Sequence, residues 1–226
     1  MSSVVVTGAS RGIGRYLCDS LSDTFDVVGV ARTVSKDFPH RFIEADVTDV
    51  GQLKGGIRGL GLRQLYAVIN CAGIASMNLF MTTPLETARR MLDVNAFGTM
   101  ATCHTLLPAL IRNGEGRVIN FSTIAVSLGL EGEAVYVASK AAVEAFSRVL
   151  AKEIGGYGIT VNTVAPNPVD TALLAGVDES KIARIVQQKQ AINRKGTFDD
   201  VLNIVRFYLD ERSSLVTGQV IGLGGS

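Results

Sequence analysis

Tyr136 and Lys140 stand four residues apart in the run Tyr136-Val137-Ala138-Ser139-Lys140. On a helix that spacing puts them on one face, one turn apart. A phenol beside an ammonium is a candidate proton donor. Alone, tyrosine has a pKa of about 10 and is a poor acid at neutral pH. A cation about 4 Å away is worth roughly 4 kcal/mol at an effective dielectric near 20, enough to bring the phenol toward physiological pH. General acid–base catalysis works best there. The same spacing also fits a solvated helix surface, so other residues have to decide between the two.

A second constellation is Thr7-Gly8-Ala9-Ser10-Arg11-Gly12-Ile13-Gly14. It joins an apolar run at 4–6 to a helical stretch at 13–21. Glycines let the backbone turn tightly and approach a ligand closely. A helix start offers free N–H groups and a positive dipole end to a pyrophosphate. The spacing is Gly-x-x-x-Gly-x-Gly, not the Gly-x-Gly-x-x-Gly of other dinucleotide folds. It reads as a phosphate cradle or as an ordinary glycine-rich turn.

The elements that must position these groups alternate. Apolar runs at 4–6, 26–31, 41–45, 67–70, 117–122, 159–165 and 220–223 predict strands. Between them, 13–21, 53–59, 84–95, 98–112, 134–154, 181–190 and 199–209 predict helices. Strand–helix alternation through one chain predicts an α/β fold with a parallel sheet. A length of 226 residues predicts one domain. Only nine residues, 32–40, with Pro39 among them, separate the second and third strands. That is short for a helical crossover and predicts an irregular connection. The stretch 166–196, with proline, glycine and mixed charge, predicts a mobile lid or binding loop.

Composition narrows the class. The chain is 47% hydrophobic and 19% charged, with a net charge of +1, so no basic footprint points to nucleic acid. Cys18, Cys71 and Cys103, with His40 and His104, form no metal-ligand spacing, which predicts neither a metal site nor a disulfide framework. No apolar stretch reads as long enough to span a bilayer. A strand starting near Val4 leaves no room for a signal peptide. The expectation is a cytoplasmic protein with no membrane partner.

Adding Asn70-Cys71-Ala72-Gly73 and Asn95 to Gly8, Gly12, Gly14 and the Tyr136/Lys140 pair, the chain resembles the short-chain dehydrogenase/reductase family over essentially its whole length. The resemblance implies a single Rossmann-like, doubly wound domain over 1–226 with seven parallel strands. It implies a nicotinamide dinucleotide and hydride transfer to or from a carbonyl carbon. Tyr136 is then the general acid in reduction. Lys140 lowers its pKa and bonds the nicotinamide ribose. Asn95 holds a water that links Lys140 to solvent, or is simply a polar residue at a helix bend.

The family's third catalytic group is a serine thirteen residues before the tyrosine, where this chain has Thr123. Neighbouring strand residues face opposite ways, so a register slip would present Ser122 instead. A threonine hydroxyl still donates to a substrate oxygen, while its methyl stiffens χ1 and fills pocket volume.

By the same resemblance Gly8, Ser10, Arg11, Gly12, Ile13 and Gly14 hold the cofactor phosphates. Asn70, Ala72 and Gly73 close the fourth strand beside it. Asp46 and Val47 reach the adenine, unless Asp46 is only a loop cap. Val169 offers backbone to the carboxamide and Thr171 a hydroxyl, unless Thr171 is a helix N-cap. Cys71 replaces a second asparagine and reads as a small buried residue rather than a reactive thiol.

Charge argues for the phosphorylated cofactor. Ala31, Arg32 and Thr33 stand where a carboxylate would bind a ribose 2′-OH. A guanidinium and a hydroxyl suit a 2′-phosphate, with Arg11 adding a second cation, unless both arginines are solvated loop residues. The expectation is NADP(H).

Two further departures stand out. Pro166-Asn167-Pro168 replaces the family's Pro-Gly turn. Asparagine tolerates left-handed backbone, but Pro168 confines Asn167 to extended shapes. Lys181, Arg184, Lys189, Arg194 and Lys195 give the lid a positive lean, either for an acidic carrier or as a solvated face. The resemblance implies a homodimer through helices 98–110 and 134–154, or a homotetramer through the last strand, which runs out at Gly224-Gly225-Ser226.

The expected activity is an NADPH-dependent carbonyl reductase. It is most like 3-oxoacyl-[acyl-carrier-protein] reductases, through the glycine loop, Asp46-Val47-Thr48-Asp49 and Thr217-Gly218-Gln219. The alternatives are an NADP-dependent secondary-alcohol dehydrogenase and, because of Thr123 and Asn167, a non-catalytic dinucleotide sensor.

Overall fold

Each of the seven apolar runs forms a strand of one sheet in the computed structural model, which describes residues 1–61, 64–175 and 177–225. Gly176, within the expected lid, and Ser226 lie outside the described residues. In chain order the elements are β1 (Ser3–Thr7), α1 (Gly12–Leu21), β2 (Asp26–Ala31), β3 (Arg41–Glu44), α2 (Val50–Leu60) and β4 (Leu65–Asn70). Then come α3 (Leu85–Leu92), a π-helical turn (Asp93–Phe97), α4 (Gly98–Asn113), β5 (Gly116–Phe121) and α5 (Ala125–Leu128). The chain continues through α6 (Ala134–Ile154), β6 (Ile159–Ala165), α7 (Glu179–Lys189), α8 (Phe198–Leu209) and β7 (Val220–Gly222). The four-residue α5 has no counterpart among the predicted elements, being too short to show a helical period.

All strand pairs are parallel, in the order β3-β2-β1-β4-β5-β6-β7. From β1 the chain winds outward through β2 and β3, then returns to β4 on the other side. The order therefore reverses between β1 and β4. In such sheets ligands bind past the carboxyl ends of the strands at this switch point. The nine residues after β2 contain no helix, as their number required.

Both faces of the sheet are covered, which is why the inner strands are largely apolar runs. Val4 and Val6 of β1 pack on one side with Leu17 of α1 and Val205 of α8. Val5 packs on the other with Leu106 and Leu110 of α4 and Leu150 of α6. Each such side chain contributes roughly 1.5–3 kcal/mol on burial.

One sequence expectation needs correcting here. The run Leu85–Asn113 is one continuous helical stretch of 29 residues, long and apolar enough by length and composition to cross a membrane. Its apolar window is 50% buried within the protein, where α4 packs on the sheet. The polar breaks at Arg89, Arg90 and Asn95 hid its length from a strand-and-helix reading of the sequence.

Candidate active site

At the carboxyl edge of the sheet a cleft of about 640 Å³ opens along the switch point. Its floor begins at the glycine loop. A Cβ on Gly14 would lie 2.3 Å from the Gly8 carbonyl oxygen, and one on Gly8 2.9 Å from Ala72 backbone. Gly8 and Gly12 also take left-handed φ values of 72° and 58°. The Thr7 hydroxyl accepts the Ala72 N–H at 3.1 Å, locking the loop to the end of β4. Ser10, Arg11, Gly12 and Ile13 line the cleft where α1 presents its free N–H groups. This backbone cradle, which side chains would fill, fits a dinucleotide pyrophosphate.

Arg32 and Thr33 line the outer rim, with Asp46 and Val47. Burial acts to raise the Asp46 carboxyl, but the Thr48 N–H and hydroxyl, with Arg32 and Arg90, outweigh it and hold Asp46 low. Asp46 thus closes a turn onto Thr48, at 2.9 and 2.8 Å, while still facing the cleft. Helix α2 is capped by Asp49 instead. Arg90 of α3 is a cleft cation that the sequence reading missed, because nothing in its spacing ties it to Arg32.

Tyr136, Lys140 and Thr123 meet in the inner cleft. Tyr136 is 7% exposed and Lys140 5%. The Thr123 side chain acts on the Tyr136 phenol, lowering its pKa, and its hydroxyl accepts the Ala125 N–H at 3.2 Å. Ser122 turns away, donating to Glu144 Oε1 at 2.6 Å, so the register presents Thr123. Ser139, between Tyr136 and Lys140, donates to the Tyr136 carbonyl at 2.7 Å and accepts from Asn95 Nδ2 at 2.9 Å. Asn95 sits on the π-helical turn, a device common at functional sites. Its amide clamps Ile74, donating to the carbonyl and accepting the N–H, both at 2.8 Å. The Asn95 oxygen and Lys140 Nζ each lie 3.3 Å from where a Cβ of Gly73 would stand.

The electrostatics differ from the sequence expectation. Burial pushes the Tyr136 phenol up, Glu133 adds to this, and the Thr123 hydrogen bond opposes it. Lys140 donates to the Phe121 carbonyl at 2.9 Å, and burial pulls its ammonium down to about 8. The expected lowering of the phenol counted the attraction between the pair and left out the water stripped from both groups.

A stability test follows. The folded-state pKa of Lys140 lies below its ordinary 10.5. A depressed lysine pKa means stability rises with pH between about 8 and 10.5, and is lost as pH falls through 8. Lys140→Met should therefore be more stable than wild type at pH 7, by about 3 kcal/mol at most. That margin should shrink by pH 10. Urea unfolding of both proteins checks it, and a margin independent of pH contradicts it.

The remaining sequence-predicted residues divide. Ala72, Gly73, Val169 and Thr171 line the cleft. Thr171 lies over the glycine loop, its Cβ 3.8 Å from a Cβ placed on Gly12. Its carbonyl closes a turn onto Leu174, and α7 starts later with Asp178 as cap, so the N-cap alternative falls away. Asn70 does not line the cleft. Its amide points into the layer between sheet and helices, donating to Asn120 at 2.8 Å and Cys103 at 3.3 Å. The alternation of β4 sends Asn70 inward and leaves the cleft to the backbone after it. Cys71 lines the cleft, with burial pushing its thiol up to about 12, which fits a packing role. Asn167 keeps a negative φ, as Pro168 demands. Its side chain donates to Gln190 at 3.0 Å and the Arg194 carbonyl at 3.1 Å, tying the two ends of the 166–196 segment together.

Comparison with known proteins agrees with this geometry. The sequence profile described as Enoyl-(Acyl carrier protein) reductase matches residues 9–225. The chain belongs to the short-chain dehydrogenase/reductase family. Among its relatives is the 3-oxoacyl-[acyl-carrier-protein] reductase FabG of Staphylococcus aureus, 31% identical over 239 residues, covering 99% of this chain and 96% of that protein. Another is the short-chain reductase protein NovJ of Streptomyces niveus, 29% identical over 249 residues, covering 99% and 93%. Ligand-free aldohexose dehydrogenase of Thermoplasma acidophilum superposes with a TM-score of 0.90 at 27% identity, covering 99% of this chain and 93% of that one. Proteins of this family are oxidoreductases that use nicotinamide dinucleotides, and the glycine cradle is built for one.

Proposed function

We propose that this chain is an NADPH-dependent carbonyl reductase. The observation that carries the reading is the meeting of the Tyr136 and Thr123 hydroxyls in a cleft that starts at the glycine loop. A nicotinamide bound there supplies a hydride to the carbonyl carbon. Tyr136 delivers the proton to the carbonyl oxygen. The buried phenol is protonated at neutral pH and so enters the reaction as a donor. Thr123 donates to the same oxygen as negative charge develops on it. Lys140 holds the ribose and replenishes the proton. Asn95 fixes Ile74 and Ser139, and through them the cleft wall and the Tyr136 backbone.

Arg32 and Arg90, both acting on Asp46, support the 2′-phosphate over the free hydroxyl. Losing a charge-assisted phosphate contact costs about 1.5–3 kcal/mol, so Arg32→Glu should weaken NADPH at least about tenfold and NADH far less. Fluorescence titration of both cofactors reads this, and a wild type that binds NADH more tightly overturns the choice.

The 166–196 segment acts as the lid. Free Cys18, Cys71 and Cys103 suit a reducing, cytoplasmic setting. Exposed Phe97, just before one of the helices expected to pair, and Val149, on the other, support a homodimer, and the open edge of β7 leaves room for a tetramer. A panel of 3-oxoacyl thioesters, quinones and simple ketones, assayed by NADPH consumption, tests the activity. Failure of every carbonyl would overturn it.

A further inference from the structure

The helix stripe that carries Tyr136 and Lys140 carries a third ionisable group. Glu133, Tyr136 and Lys140 fall at i, i+3 and i+7, on one face of α6 and its N-terminal residue. Glu133 is 4% exposed and lines the same cleft. It makes no capping bond to α6, and among the described residues its carboxylate has no hydrogen-bond partner. Met77, Leu130, Val177, Ile182 and Ile185 line the same cleft and give it apolar surface. Structural needs do not account for it there, because buried carboxylates are unfavourable without partners.

One cation faces it from the lid. Lys181 of α7 lines the cleft and acts on Glu133 through space. Its Nζ lies 3.2 Å from where a Cβ of Gly132 would stand. Ammonium and carboxylate nevertheless form no ion pair within 4.0 Å. They are near enough to feel each other and lie more than 4.0 Å apart, so neither is satisfied by direct contact with the other.

We propose that Glu133 and Lys181 are the specificity pair of the cleft, jointly holding a hydroxyl of the substrate beside the carbonyl that Tyr136 protonates. This rests on the reductase reading. A hydroxyl satisfies both groups, donating to the carboxylate and accepting from the ammonium. A substrate ammonium would suit Glu133 and be repelled by Lys181. A substrate carboxylate would meet the reverse. An unsubstituted 3-oxoacyl thioester has no donor next to the reacting carbonyl and would leave Glu133 unpaired. The substrate class is therefore a hydroxylated carbonyl compound with apolar flanks. Burial pushes the Glu133 carboxyl up while Lys181 opposes this, as expected of a buried acid waiting for a partner.

The test compares a matched pair, acetoin and butanone, which differ by one hydroxyl next to the carbonyl. Two quantities are read on the full chain. One is kcat/KM with NADPH, and the other is calorimetric affinity for the protein saturated with NADP+. Sites built to bond a hydroxyl reject the analogue without it, so wild type should prefer acetoin at least about tenfold in both. In Glu133→Ala the preference should fall to within about twofold of unity, with Lys181→Ala between the two. Equal acetoin-to-butanone ratios in wild type and Glu133→Ala overturn the pair, while NADPH consumption leaves the reductase reading standing. If neither compound consumes NADPH, the reductase reading loses support and the affinities decide the pair. Equal affinities then overturn it.

Discussion

Tyr136→Phe should lose carbonyl reduction by about a thousandfold or more while dinucleotide affinity stays within about twofold, since a positioned general acid supplies roughly 10²–10⁴ in rate. The substitution is close to isosteric. It removes one oxygen from a ring that is 7% exposed and leaves the packing of α6 intact. The Thr123 hydroxyl keeps its bond from the Ala125 N–H, so the oxygen-binding half of the site survives. What disappears is the only proton placed against the expected carbonyl oxygen from the phenol side. Lys140 does not take over, because its proposed place is on the ribose and the Phe121 carbonyl rather than on the substrate oxygen. Steady-state kinetics with fluorescence titration check this, and wild-type turnover in the variant would remove Tyr136 from the reaction.

Gly14→Ala should damage the other half of the site. Its added methyl would sit 2.3 Å from the Gly8 carbonyl oxygen and 2.8 Å from the carbonyl carbon. Both are backbone atoms, so the loop itself must move. Overpacking of this kind costs about 1–3 kcal/mol of stability. The displaced loop should also weaken dinucleotide binding by about a hundredfold, because the pyrophosphate relies on aligned backbone N–H groups. Gly12→Ala is the contrasting case. Its methyl would have 3.8 Å of clearance, and only the left-handed φ of 58° opposes it, worth about 1–2 kcal/mol. Urea midpoints and NADPH titration of the two variants separate the causes. A Gly14→Ala protein that binds NADPH like wild type would show that the loop does not cradle the phosphates.

The fold was legible because the inner strands β1, β2, β4, β5 and β6 are buried on both faces and so appear as largely apolar runs, with helices between. The irregular link after β2 followed from counting nine residues. Spacing also picked Thr123 over Ser122, and the Ser122–Glu144 bond explains why. Other features depend on how elements meet in space. Asn70 looked like a cofactor ligand, yet strand alternation turns it into the layer beneath. Arg90 joins Arg32 at the cleft rim from a distant helix. The phenol's direction of shift depends on burial, which the four-residue spacing does not report. Glu133 is different, since its i, i+3, i+7 relation to Tyr136 and Lys140 is written in the sequence. It escaped notice because it lies one residue before the helix predicted at 134–154.

The most direct measurement is hydride transfer itself. NADPH carrying deuterium at the transferable position would be incubated with the carbonyl panel, and the products read by mass spectrometry and NMR. The account predicts deuterium on the carbinol carbon of the product with wild type, and at least about a thousandfold less with Tyr136→Phe. Deuterium retained in the cofactor with every carbonyl, or transferred equally well by Tyr136→Phe, would contradict it.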